Sequence, residues 1–180
     1  MATSGNDLSA FDPELLKDSA HFRVGIVFSE WNSEITHALR DGAIEVFQAA
    51  GIHANQILVH TVPGAFETPL AAQWLLKSDK CDGVVCIACV IRGETAHFEY
   101  VSSATAHGVQ HIGLQTSKPA VFCVLTDDNI DQSRARSGGA LGNKGVEAAA
   151  ACLQMMKLRE SIQNQPGGHS LADWGVGMLD

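Results

Sequence analysis

The chain has 180 residues, 46% of them apolar and 18% charged, with a formal net charge of −8. That is enough material for one domain with a full core, and the acidic balance argues against nucleic-acid binding, which needs a basic footprint to displace counterions. No apolar run approaches the roughly 20 residues that cross a bilayer, and MATSGNDLSAFDPELL lacks the features of a secretory leader, so a soluble cytoplasmic protein is expected.

Residues 1–21 are polar and mixed and are expected to form an N-terminal arm. From Phe22 strands and helices alternate. Phe22–Phe28 has strand length and is almost wholly apolar. Asn32 or Ser33 can cap a helix in which Ile35, Leu39, Ala43, Val46 and Phe47 recur near helical spacing, stopped by Gly51. Ile57–Val62 is the second strand, ended by Pro63-Gly64, and Ala65–Lys77 the second helix, with Leu70, Trp74 and Leu75 expected inward. Gly83–Ile91 is apolar on both faces, as in a central parallel strand. Arg92-Gly93-Glu94-Thr95 then turns into a helix reaching about His111.

Ala120–Leu125 is the fourth strand. Asp127 and Asp128 start a short helix to Arg136, a glycine-rich loop follows, and Val146–Arg159 is the last helix. Residues 22–160 are thus one domain and 161–180 a tail. The alternation predicts an α/β fold: a three-layer α/β/α sandwich on a mainly parallel four-stranded sheet, with right-handed crossovers. In such sheets ligands sit beyond the carboxyl ends of the strands, at the loops from Ser29, Pro63, Arg92 and Thr126.

Each of those loops carries chemistry. Trp31 can stack on a planar heterocycle or belong to a core. Phe66 and Glu67 open a helix, where a carboxylate either serves the helix dipole or accepts hydrogen bonds from a polar ligand. Gly93 permits close backbone approach, Thr95 adds a hydroxyl, and a helix N-terminus supplies N–H groups to an anion. The positive field there should disfavour a charged imidazole on His97, leaving a base able to take a proton near neutrality. Arg134, Arg136 and Lys144 supply cations, the arginine fork suiting a phosphate. The residues alone therefore point to an enzyme acting on a phosphorylated small molecule.

Three patterns are set aside. Gly139–Lys144 lacks the spacing of a nucleotide phosphate loop. Cys81, Cys86 and Cys89 match an iron–sulfur spacing, but the last two lie three apart in one strand and must face opposite ways, so free thiols are expected. His107 and His111 share a helix face without the glutamate of a zinc-protease motif.

FSEWNSEIT at 28–36, VPGAFETPLAA at 62–72, CVIRGETAHFEYV at 89–101 and LTDDNIDQSRARSGGALGNKGVEAA at 125–149 together resemble the lumazine synthase family, over about residues 22–158. The resemblance implies a flavodoxin-like fold. It also implies condensation of 5-amino-6-(D-ribitylamino)uracil with 3,4-dihydroxy-2-butanone 4-phosphate in riboflavin biosynthesis, without metal or organic cofactor.

By position, Trp31 and Phe66 would line the pyrimidine pocket, Asn32 and Glu67 would hold ribityl hydroxyls, and Cys89, Val90 and Ile91 would face the uracil with their backbone. Gly93, Glu94 (through its amide), Thr95 and Arg136 would hold the phosphate, and His97 would shuttle protons. Phe122, Lys144 and Arg136 would come from the neighbouring subunit. The implied partner is therefore the chain itself, as a homopentamer that a sixty-subunit shell can incorporate, with the N-terminal arm free to add a strand to a neighbour. Departures are Trp31 where phenylalanine is commoner, Glu30 where a small or basic residue is frequent, and Ala88-Cys89 in place of Gly-Thr. A non-catalytic flavin- or lumazine-binding protein on the same scaffold is the alternative function.

Overall fold

A computed structural model describes residues 17–164. The arm up to residue 16 and the tail from residue 165 lie outside the described residues. Strands β1 (Val24–Ser29), β2 (Ile57–Val62), β3 (Gly83–Ile91) and β4 (Ala120–Asp127) form a parallel sheet of order β2-β1-β3-β4. Helices α1 (Ser33–Ala49), α2 (Thr68–Lys77), α3 (His97–Thr116), α4 (Ile130–Arg136) and α5 (Lys144–Asn164) accompany it. The glycine-rich loop forms a small antiparallel pair, β5 (Ser137–Gly139) and β6 (Gly142–Asn143). The architecture is the three-layer α/β/α sandwich that the alternating pattern predicts, and it is consistent with the flavodoxin-like fold that the resemblance implies.

The two central strands owe their position to side chains that are apolar on both faces. On one face, Ile35, Leu39, Val46 and Phe47 of α1 join Ala149, Cys152 and Leu153 of α5 over Val24, Ile26, Val85 and Ile87. On the other, Ala72, Leu75 and Leu76 of α2 join Val109 and Ile112 of α3 over Val27, Val84 and Cys86. The strand period of two sends Cys86 and Cys89 to opposite faces, as expected.

Several local expectations are corrected. Leu70 and Trp74 do not point inward; they are 50% and 64% exposed, while Thr68, Ala72, Leu75 and Leu76 make the buried face of α2. Helix α3 begins at His97 and continues to Thr116, leaving 92–96 as a non-helical loop. Asp127 closes β4 instead of opening α4, which is capped by Asn129, whose side chain accepts the Gln132 N–H.

Helix α5 starts at Lys144 and runs to Asn164, past the expected end at Arg159. Its early start has a local cause. Asn143 Oδ1 accepts the Gly145 N–H at 2.8 Å while Nδ2 donates to the Ala38 carbonyl of α1 at 2.9 Å. One side chain thereby caps α5 and ties it to α1, and Gly42 is the residue that leaves room for it, since a Cβ there would lie 2.6 Å from Asn143 Nδ2.

Candidate active site

The carboxyl ends of β1, β2 and β3 open on a cleft of about 830 Å³, within the range of small-molecule sites. Its lining includes Trp31 and Asn32 after β1, Phe66 and Glu67 after β2, Cys89, Val90 and Ile91 at the end of β3, and His97 at the start of α3. Eight of the predicted residues thus meet in one place. Trp31 and Phe66 are 73% and 61% exposed, so two aromatic faces are open to a planar ligand.

Asn32 has a different local role from the cap predicted for it. It sits in the left-handed region (φ 56°, ψ 50°), and its side chain makes no capping bond. Asparagine tolerates this backbone better than most residues. The side-chain Nδ2 instead donates to the Cys89 carbonyl at 2.9 Å, tying the β1 loop to the end of β3. The Glu30 N–H donates to the Val62 carbonyl at 2.9 Å, joining the first two loops. The cleft floor is therefore held by strand ends and short cross-links.

The cleft also uses residues that sequence reasoning passed over. Tyr100, Val101 and Ala104 line it beside His97. The signal was present, because 97, 100, 101 and 104 follow helical spacing and share one face. His97 is exposed, and its N–H points at Thr95 Oγ1 at 3.4 Å. Gly93, Glu94 and Thr95 are exposed on the loop leading into α3 and line neither this cleft nor the second hollow described below. Arg92 anchors that loop. Its Nε donates to Asp128 at 2.8 Å, its Nη1 to Glu99, and its guanidinium lies 4.3 Å from the Phe98 ring centroid. The Arg92 charge and hydrogen bond hold Glu99 below the usual carboxylate range.

Phe122, Arg136 and Lys144 are not in the cleft. They line a separate hollow of about 510 Å³ along the β4 edge, with Asp127 and Glu147. Lys144 Nζ donates to both Glu147 oxygens, at 2.6 and 2.7 Å. Arg136 Nη1 donates to the Gln132 carbonyl at 2.9 Å and faces Asp127 at 3.7 Å. The third candidate cation, Arg134, is committed elsewhere, to both oxygens of Glu34 at 2.9 and 3.0 Å and to Asp131 at 3.1 Å. A single chain thus carries two separate hollows, one at the strand carboxyl ends and one along the β4 edge.

All five cysteines are buried free thiols. Burial pushes Cys86 and Cys123 up to about 12 and also raises Cys89 and Cys152. At pH 8 a thiol of that kind is thiolate in only about one molecule in 10⁴, and the thiolate is the reactive form. Iodoacetamide at pH 8 should therefore leave these thiols unmodified in the folded protein and label all five in denaturant, read by intact mass. Rapid labelling of Cys86 or Cys123 without denaturant would contradict the burial.

The family model described as 6,7-dimethyl-8-ribityllumazine synthase matches residues 21–160. The chain belongs to that family. A relative of that name from Christiangramia forsetii is 44% identical over 168 residues, covering 93% of this chain and 100% of its own length. Another from Flavobacterium johnsoniae is 43% identical over 92% of this chain and 90% of its own. A third, from Cytophaga hutchinsonii, is 43% identical over 87% of this chain and 98% of its own. The family match spans every strand, the cleft and the hollow. Among the described residues, no helix is long and apolar enough to cross a membrane.

Proposed function

We propose that this protein is a transferase that condenses 5-amino-6-(D-ribitylamino)uracil with 3,4-dihydroxy-2-butanone 4-phosphate, giving 6,7-dimethyl-8-ribityllumazine, inorganic phosphate and water. The observation that carries the proposal is the cleft at the strand ends, where two open aromatic faces, a backbone edge, Asn32, Glu67 and His97 converge in a member of this family. Trp31 and Phe66 take the pyrimidine ring, and the Cys89–Ile91 edge meets its polar rim. Asn32 Oδ1 and Glu67 accept hydrogen bonds from ribityl hydroxyls. Gly93, the Glu94 amide and Thr95 receive the phosphate. A Cβ at Gly93 would meet nothing within 4 Å inside the chain, so the fold leaves the approach to its backbone open for the phosphate.

The chemistry asks little of any single group. The pyrimidine amine attacks the ketone and one water leaves as the imine forms, phosphate is eliminated, and closure of the ring amine onto the remaining carbonyl releases a second water. Donors on the phosphate stabilise the leaving group, and His97 carries protons between the bound partners. Holding both substrates together supplies a large share of the acceleration. His97→Ala should therefore slow turnover by about tenfold without abolishing it, less than the roughly 10²–10⁴-fold typical of an essential acid–base group. Loss of all activity in a folded, assembled variant would overturn that division of labour.

The second hollow belongs in the same scheme if Phe122, Lys144 and Arg136 serve the neighbour's cleft, as a homopentamer would allow. Exposed apolar side chains support such assembly: Leu70, Trp74 and Tyr100, together with Leu114, Met155, Leu158 and Ile162, which line one surface hollow. A sixty-subunit shell is a further step of the same assembly. Mixing both substrates with the protein tests the function directly. Lumazine absorbance appearing with stoichiometric phosphate release is expected; flavin or lumazine binding without turnover would favour a non-catalytic role. Sedimentation tests the assembly, and a monomer would overturn it.

A further inference from the structure

A chain of buried polar contacts runs from the cleft to the hollow. Cys89 Sγ, in the cleft wall, donates to Ser133 Oγ at 3.3 Å. Ser133 Oγ donates to Asp127 Oδ2 at 2.7 Å. Asp127 Oδ1 lies 3.7 Å from Arg136 Nη1, in the hollow. Ser133 is fully buried and the Asp127 side chain is 9% exposed, against 28% for Arg136. A carboxylate so far from water is costly unless its oxygens are matched, and a purely structural role could be filled at lower cost by an apolar residue.

We propose that Asp127, fixed by Ser133, is the positioning residue for the Arg136 guanidinium that receives the substrate phosphate. The inference rests on the role given to Arg136 above. The Nη1 edge of the guanidinium is taken by the Gln132 carbonyl and turned toward Asp127. Its Nε and Nη2 have no protein acceptor among the described residues, so this edge is left for an oxyanion. Phosphate recognition by arginine depends on planar, two-point geometry, which a freely rotating side chain presents only part of the time. The carboxylate faces Nη1 and not the Nε–Nη2 edge, so the phosphate is assigned to the edge that Asp127 does not occupy.

The test compares the full-length wild-type, Asp127→Asn, Ser133→Ala, Arg136→Ala and Asp127→Asn/Arg136→Ala proteins, with assembly checked by sedimentation. Asparagine keeps an acceptor for Ser133 and removes the charge. The KM for the phosphorylated ketone and the Ki of inorganic phosphate should rise about tenfold in Asp127→Asn, with the pyrimidine KM unchanged. Ser133→Ala should move the same two constants by about threefold and serves if the asparagine variant does not fold. The double variant should be no worse than Arg136→Ala alone. Unchanged phosphate Ki in the folded single variants, or additive effects in the double variant, would overturn the positioning role. If instead Arg136→Ala itself leaves the ketone KM unchanged, the error lies in the role assigned to Arg136.

Discussion

Arg136→Ala is expected to raise the KM for the phosphorylated ketone on the order of 10- to 100-fold, while the pyrimidine still binds with its normal affinity. The magnitude follows from removing one charge-assisted contact, about 1.5–3 kcal/mol, or roughly one to two decades in affinity. The selectivity follows from placement. Arg136 lies on the β4 edge, in a hollow separate from the aromatic cleft, so its loss leaves the Trp31 and Phe66 faces untouched. Arg134, close in sequence, cannot substitute, because Glu34 and Asp131 hold it. Its own replacement should therefore leave the ketone KM unchanged.

The same separation allows a test of whether the complete site lies between subunits. A Trp31→Ala/His97→Ala protein and an Arg136→Ala protein should each be poor catalysts. Refolded together at equal amounts, they place an intact cleft beside an intact Arg136 in about one quarter of the interfaces of a ring. About a quarter of the wild-type rate, with wild-type KM values, should return. Activity no greater than the mean of the two separate proteins would mean that cleft and arginine act within one chain.

Much of this fold is legible in the linear chain because its strands carry strong local marks. Gly83–Ile91 and Val24–Ser29 are apolar on both faces, and a fully buried parallel strand leaves no other pattern. Gly51 and Pro63-Gly64 punctuate the first crossover, so boundaries there fall close to expectation. The candidate site is legible for a related reason. The parallel topology assigns ligands to the strand carboxyl ends, and only four loops leave from them.

The features that escaped are those decided by distant partners. Leu70 and Trp74 look like core by residue type, yet helix α2 buries Thr68, Ala72, Leu75 and Leu76 and turns these two outward. Asn143 reads as a loop residue until its contact with Ala38, more than a hundred positions earlier, shows it joining two helices. The Cys89–Ser133–Asp127 line crosses three elements and has no local spacing to announce it. Arg92 is read from the sequence only as part of the turn into α3. Its distant partner Asp128, together with Glu99, makes it the anchor of that loop.

Two glycines separate stability from ligand contact. Gly145, in the first turn of α5, faces the backbone of α1, where an added Cβ would stand 1.8 Å from the Leu39 carbonyl oxygen and 2.6 Å from its carbon. No rotamer relieves a clash with main chain, so alanine must force α1 and α5 apart. Those helices share the larger hydrophobic cluster, through Leu39, Val46 and Phe47 against Ala149 and Leu153. Separating them opens voids along the whole contact, and costs of about 3–5 kcal/mol are characteristic of such core disruption. Against the 5–15 kcal/mol that holds a typical domain together, Gly145→Ala should lower the Tm by about 6–20 °C at fixed protein concentration. It should also disturb Lys144 next to it.

Gly93→Ala is the converse case. Its φ is not in the left-handed region and its Cβ would meet no atom within 4 Å, so the Tm should not move. On the proposed function the ketone KM should nevertheless rise, because the added methyl would stand where the phosphate is proposed to bind. An unchanged Tm in Gly145→Ala would contradict the α1–α5 contact, and an unchanged ketone KM in Gly93→Ala would remove that loop from the phosphate site.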